Sequence, residues 1–325
     1  MTLKQPAVLL AALLLGTCQE VRASDIYALG GVVHSTSPAD LSYSWQLEYR
    51  QDLARHLAAG ISYLNEGHFK GHHRDGYTAQ LWGRAELFDY RLTVAAGIGP
   101  HFYLDTTRTS SPGGFTDDHG WNAMLSAAAT WHLENNVLLE LRSNWVKGPS
   151  GFNTLSALGG IGYHFDPTLE PLDGARANRQ GYSNEITLLA GQTIVNSFNS
   201  PQSISGALEY RRRLSRHLDW TVSGLYEGDN RLVRRDGVMT QLWVTQELLD
   251  DKLNVGAGAG VYFNLSHYHS PSQSPNASHP VSGIISLTGS YRLSPRWTTR
   301  LTWNRIVTSY ARDTDVLLAG VGYRF

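Results

Sequence analysis

The chain has 325 residues, a formal net charge of −1, 42% hydrophobic residues and one cysteine. So even a balance of charge excludes the basic footprint of a nucleic-acid binder and a polybasic membrane patch. Past the N-terminus no apolar run approaches 18 residues, which excludes a transmembrane helix there.

Residues 1–23 read as an export signal. Lys4 gives a positive start, "AVLLAALLLG" (7–16) an apolar core, and "VRA" before Ser24 a small-residue cleavage site. A rival reading takes Cys18 of "LGTC" as a lipidated cysteine, but Thr17 is a poor match for the small residue preferred before it. Cleavage after Ala23 removes the only cysteine, so the mature chain forms no disulfide.

Eight strands are predicted next, near 25–34, 41–51, 57–66, 77–88, 90–104, 120–133, 136–147 and 154–165. The second strand sets Leu41, Tyr43, Trp45, Leu47 and Tyr49 on one face. Ser42, Ser44, Gln46, Glu48 and Arg50 lie on the other. The sixth sets Trp121, Leu125, Ala127, Ala129, Trp131 and Leu133 against Asn122, Ser126, Thr130 and His132. This period-2 alternation marks strands with two unlike faces. A Pro- and Gly-bearing stretch, "DPTLEPLDGARANRQG" (166–181), reads as a periplasmic linker. Eight more strands follow near 186–196, 203–212, 218–227, 238–249, 251–265, 281–293, 296–307 and 314–325.

The second set repeats the first. "LEYRQDLARHLAAGISYLNEG" (47–67) matches "LEYRRRLSRHLDWTVSGLYEG" (208–228) at an offset of 161, as does "RDGYTAQLWGRAELFD" (74–89) with "RDGVMTQLWVTQELLD" (235–250). After one deletion the offset becomes 160 and pairs "GGIGYHF" with the terminal "AGVGYRF". The mature chain is therefore two homologous units, 24–165 and 182–325. Odd-numbered strands are followed by long polar loops and even-numbered strands by tight turns, as in membrane barrels with loops outside and turns in the periplasm.

The chain ends in a period-2 strand with Tyr323 and Phe325 on its greasy face. That ending resembles the C-terminal signature of bacterial outer-membrane β-barrels, which the barrel-assembly machinery of that membrane recognises. The resemblance implies an all-β fold: an antiparallel transmembrane β-barrel of 16 strands in two eight-strand units. It also implies a place in the outer membrane, contact with its lipids and lipopolysaccharide, and handling by periplasmic chaperones. Closure is open between one 16-stranded barrel and two small ones. The linker length and the small inward residues (Gly97, Gly99, Gly160, Gly162 and their repeats) favour two.

The inward faces carry a polar set expected to line the lumen. In the first unit it comprises Glu48, Arg50, Gln80, Trp82, Glu86, Glu140, Arg142 and Asn144, with Arg84 beside them. In the second it comprises Glu209, Arg211, Gln241, Trp243, Glu247, Arg300 and Asn304. A charge-balanced filling and a solute path both fit this set. Histidines cluster in two loops, His68, His72 and His73 in one and His267, His269 and His279 in the other. They are the only candidates for metal binding. The cluster is not repeated at the loop between the third and fourth strands of the second unit, so a solvated surface is expected, with no metal and no cofactor.

In size and in its "LR.N" then "G.GY.F" ending, the first unit also resembles lipid A 3-O-deacylases. That family carries a His-x-Ser-Asn stretch on its seventh strand, whereas this chain has Leu141 where the histidine would stand, in "LRSNWV". Ser143 then lacks a base and is expected to point toward lipid. The leading expectation is a non-enzymatic barrel, either a transport pore or an accessory barrel of a surface-glycan or envelope system. A lipid A-modifying enzyme and a structural or adhesive barrel acting through its loops are the alternatives.

Overall fold

A computed structural model describes residues 23–325 except 37–38, 112–113, 149–151, 166–182, 216, 231, 250–251 and 267–279. The expected export signal and linker, and His267, His269 and His279, lie outside the described residues. The chain divides into two compact units, each all-β.

The first unit consists of β1 (Ser24–Thr36), β2 (Ala39–Ala54), β3 (Leu57–Phe69), β4 (His72–Leu87), β5 (Leu92–Arg108), β6 (Phe115–His132), β7 (Val137–Lys147) and β8 (Thr154–Phe165). They close in order as an antiparallel barrel. The closing seam pairs Ser24 with Phe165, Ile26 with Tyr163 and Ser35 with Thr154. The second unit consists of β9 (Asn184–Val195), β10 (Gln202–Ser215), β11 (Leu218–Asp229), β12 (Arg234–Leu248), β13 (Leu253–Asn264), β14 (Val281–Arg292), β15 (Trp297–Val307) and β16 (Thr314–Arg324). It too closes on itself, with β16 against β9 through Arg324–Glu185 and Val321–Leu188. The strand ending at Phe165 thus finishes its own barrel.

The alternation seen in the sequence becomes the barrel wall. Leu41, Leu47, Trp121, Leu141 and Ile161 are exposed on the outside of the first unit, and Leu188, Ile204, Leu242, Leu301 and Val321 on the outside of the second. An apolar exterior over paired strands is what lipid demands, because closure leaves no backbone N–H or C=O facing hydrocarbon. Aromatic pairs mark the periplasmic ends of the closing strands. Tyr163 and Phe165 lie edge-on at 4.9 Å between ring centroids, and Trp297 and Tyr323 at 5.2 Å.

The structure corrects one expectation. The stretches read as long loops after the third and fifth strands are largely strand: β3 continues to Phe69, β4 begins at His72, β5 reaches Arg108 and β6 begins at Phe115. Polar residues on both faces weaken the alternation signal but not the antiparallel ladder, which pairs His68 with His73 and Phe69 with His72. A bulge between Asn65 and His68 centres on Gly67, whose φ of 71° suits glycine. The extra residue reverses the side-chain parity, so Glu66 and then Phe69 both point inward. The second unit repeats the device at Gly228, φ 78°.

Candidate functional site

Eight strands leave an interior just wide enough for side chains to fill it. Both lumens are filled in layers, ordered from the periplasmic end outward.

In the first barrel the innermost layer is ionic. β2 supplies Glu48 and Arg50, and β7 supplies Glu140 and Arg142. Arg50 donates from Nε to Glu48 at 2.8 Å and from Nη1 to Glu140 at 3.4 Å. Arg142 donates from Nε to Glu140 at 2.7 Å and from Nη1 to Glu48. Thr130 adds a hydroxyl to Glu140 at 2.7 Å. Two cations and two carboxylates bond crosswise, as charges removed from water require. Both guanidinium groups also lie over Trp82, at 4.2 Å for Arg50 and 5.0 Å for Arg142. Trp82 is 0% exposed, Glu140 2% and Arg142 3%, so this layer presents almost no surface to water. Gly97 makes room for the indole, since a Cβ there would stand 2.8 Å from the ring.

The next layer is neutral. Gln80 donates to Ser126 at 3.0 Å, Ser126 to Asn144 at 2.7 Å, Asn144 to Gln46 at 2.9 Å and Gln46 to Ser62 at 2.9 Å. Leu64, Met124 and Val146 stand one step farther out along their strands and form an apolar cluster with Leu29 and Leu158. The outer end is closed by Arg74, which grips Glu66 with Nε and, at 3.0 Å, with Nη2. Arg74 also donates to Thr154 at 2.8 Å and to the Phe152 carbonyl at 3.1 Å.

The second barrel repeats the neutral relay, with Gln241 donating to Ser286 and Ser286 to Asn304, both at 2.7 Å. It repeats the outer clamp as well. Arg235 binds Glu227 at 2.8 and 2.9 Å, Thr314 at 2.8 Å and Tyr310 at 3.0 Å. Trp243 fills the place of Trp82 beneath Arg211 at 4.6 Å, and Gly258 the place of Gly97. The ionic layer differs. Arg211 bonds Glu209 at 3.1 Å and Asp219 at 3.3 Å, while Arg300 bonds Glu185 at 2.6 Å.

The polar residues predicted from sequence thus lie inside, at two depths. Glu86 and Glu247 are only half-buried at the periplasmic rim, where Glu247 meets Arg213 at 2.5 Å and Arg84 meets Asp52 at 2.5 and 2.7 Å. The outer clamp was missed, although its signal was present: Glu66 and Glu227, and Arg74 and Arg235, repeat at the 161-residue offset. The three histidines do not converge. His72 turns to Asp105 at 3.2 Å and stacks on Phe152, whereas His68 lies against His73, with ring centroids 4.0 Å apart. Ser143 stands on the outward parity with Leu141 and Trp145. Tyr323 and Phe325 are exposed on the outer face.

No family model and no curated protein matches the chain. Solved structures do match. Neisserial surface protein A is 11% identical, covering 45% of this chain and 98% of its own, with a TM-score of 0.36. The N-terminal β-barrel domain of Pseudomonas aeruginosa OprF is 13% identical over 44% of this chain and 98% of its own, TM-score 0.35. The attachment invasion locus protein Ail of Yersinia pestis, solved with the heparin analogue sucrose octasulfate, is 12% identical over 44% and 97%, TM-score 0.34. With closed walls, apolar exteriors and polar interiors, both units have the build of transmembrane β-barrels.

Proposed function

We propose that this protein is a non-conducting accessory barrel of a surface-glycan or envelope system, acting through its rims and not through its lumens. The observation that carries the reading is the ionic layer under each neutral relay. Trp82 and Trp243 are both 0% exposed, with cations stacked on them and carboxylates bonded across. A pore whose charges select a solute keeps those charges wet and singly reachable. In the first barrel they neutralise one another in a buried layer, and in both barrels a buried tryptophan fills the cross-section, which is how a lumen is sealed. A lipid A-modifying enzyme gains no support, because Ser143 shares the lipid-facing parity of Leu141 and has no base beside it.

Planar-bilayer recording with the purified full-length mature protein tests this reading. No stable conductance is expected. A steady, ohmic conductance of porin size overturns it.

A further inference from the structure

The two periplasmic mouths are built from equivalent positions but carry different charge. In the first barrel the mouth is internally paired. Arg84 is held bidentate by Asp52, His164 meets Asp25 at 2.6 Å, and His132 meets Thr93 at 2.9 Å. In the second barrel the positions of Asp52, His132 and His164 are taken by Arg213, Arg292 and Arg324, and Lys252 stands where the first has Arg91. Thr245 replaces Arg84, so the one cation of the first mouth that was fully paired has no counterpart.

These four cations ring a cavity of about 50 Å³, and Arg211 and Arg300 line its floor. Only three carboxylates share the lining, and each has a partner already: Glu185 on Arg300, Asp219 on Arg211 and Glu247 on Arg213. Arg292, Arg324 and Lys252 have no carboxylate partner among the described residues. The floor is under-satisfied too. Arg211 Nη2 and Arg300 Nε are buried without an acceptor, and Arg300 Nε stands 3.9 Å from Glu209, beyond hydrogen-bond reach. Cations crowded at one end of a low-dielectric tube repel each other unless an anion sits among them. A cavity of this size holds a few waters, at roughly 10–15 Å³ each, or one tetrahedral oxyanion.

We propose that the periplasmic mouth of the second barrel is a binding site for a phosphate group, with Arg213, Arg292 and Arg324 as the rim that holds it and Arg211 and Arg300 beneath. Guanidinium forks suit phosphate oxygens, and the asymmetry between two copies of one ancestral unit places the site in the second alone. The phosphate comes either from the headgroup of an inner-leaflet lipid or from a soluble periplasmic phosphate compound.

The test uses the full-length mature protein in an uncharged maltoside detergent. Inorganic phosphate is titrated by calorimetry, and phosphatidylglycerol binding is counted by native mass spectrometry against phosphatidylcholine. Saturable binding of either phosphate probe is expected. Preference for the lipid assigns the headgroup, and binding of inorganic phosphate without lipid preference assigns the soluble source. The triple variant R213D/R292H/R324H, which writes the first mouth onto the second, is expected to weaken binding about tenfold or more. Arg324→Gln alone is expected to weaken it severalfold, and it guards against misfolding of the triple variant. Arg55→Gln, at an exposed arginine of the first barrel, is expected to change nothing. Absence of saturable binding by both probes overturns the proposal, as does binding that a folded triple or single variant leaves intact.

Discussion

The two barrels descend from one unit, and what they share and do not share sorts by depth. Both keep the outer clamp (Glu66 and Arg74; Glu227 and Arg235), the glutamine–serine–asparagine relay, and a buried tryptophan seated over a glycine. They part at the ionic layer. Position 140 is glutamate in the first and its equivalent 300 is arginine; Arg142 corresponds to Thr302, and Ala58 to Asp219. Duplicated plugs tolerate change where one charge can be exchanged for another nearby. They do not tolerate it where a single side chain fills the cross-section. The difference teaches that a lumen filled by side chains is the common property, while the ionic end of each barrel is where the two copies diverge.

The largest expected effect breaks this comparison at Arg142. Arg142→Ala leaves Glu48 and Glu140 sharing Arg50 as their one cation in a buried interior, and loss of about 3–5 kcal/mol is expected for the one buried charge left uncompensated. The equivalent change in the second barrel, Thr302→Ala, removes one hydroxyl and is expected to cost about 1 kcal/mol or less. Urea unfolding of both variants in lipid vesicles, followed by tryptophan fluorescence, measures the contrast. Equal losses would show that the ionic layer of the first barrel is not the cooperative unit its cross-bonding indicates.

Much of this architecture was legible in the sequence, and the reason is the pleat. A strand that separates lipid from a narrow polar lumen must alternate, so Leu41 to Arg50 declares both faces at once. Closure was only partly legible: the linker length and small inward residues favour two barrels, but an eighth strand meets a first-type strand either way, and the pairing of Phe165 with Ser24 decides it. The outer clamp escaped for a local reason. Arg74 and Arg235 sit in stretches so polar on both faces that they read as loop, and Glu66 is the last residue of its predicted strand, where the Gly67 bulge breaks the alternation. Pairings such as Arg142 with Glu48 join residues 94 apart, a distance that period-2 reasoning along a strand does not reach.

A middle-sized effect is expected at the tryptophan seats, where the barrels should behave alike. A Cβ at Gly97 would stand 2.8 Å from the ring of Trp82, and one at Gly258 stands 2.5 Å from Trp243. Neither indole has open space to retreat into, because both are 0% exposed and packed against arginine. Gly97→Val and Gly258→Val are each expected to cost about 1–3 kcal/mol through overpacking, with the same assay as readout. A cost in one barrel only would mean that the seat is shared in sequence but not in packing.

The smallest expected effect sharpens the comparison within that shared seat. Trp243 donates its Nε1 hydrogen to Thr221 at 2.9 Å, whereas Trp82 has Gly60 at that place and its Nε1 is buried without an acceptor. Thr221→Val keeps the volume and removes the acceptor, giving the second barrel the condition of the first. A buried donor left unpaired costs about 1–3 kcal/mol, and the lower end is expected here because the first barrel shows the fold accommodating the same deficit. Guanidinium stacking accounts for that tolerance: two arginines flank Trp82, at 4.2 and 5.0 Å, where, among the described residues, Arg211 flanks Trp243 at 4.6 Å. Unfolding of Thr221→Val by urea measures the cost directly. A loss well above about 3 kcal/mol would show that the second tryptophan depends on its hydrogen bond in a way the first does not, and that the first is held by its cations instead.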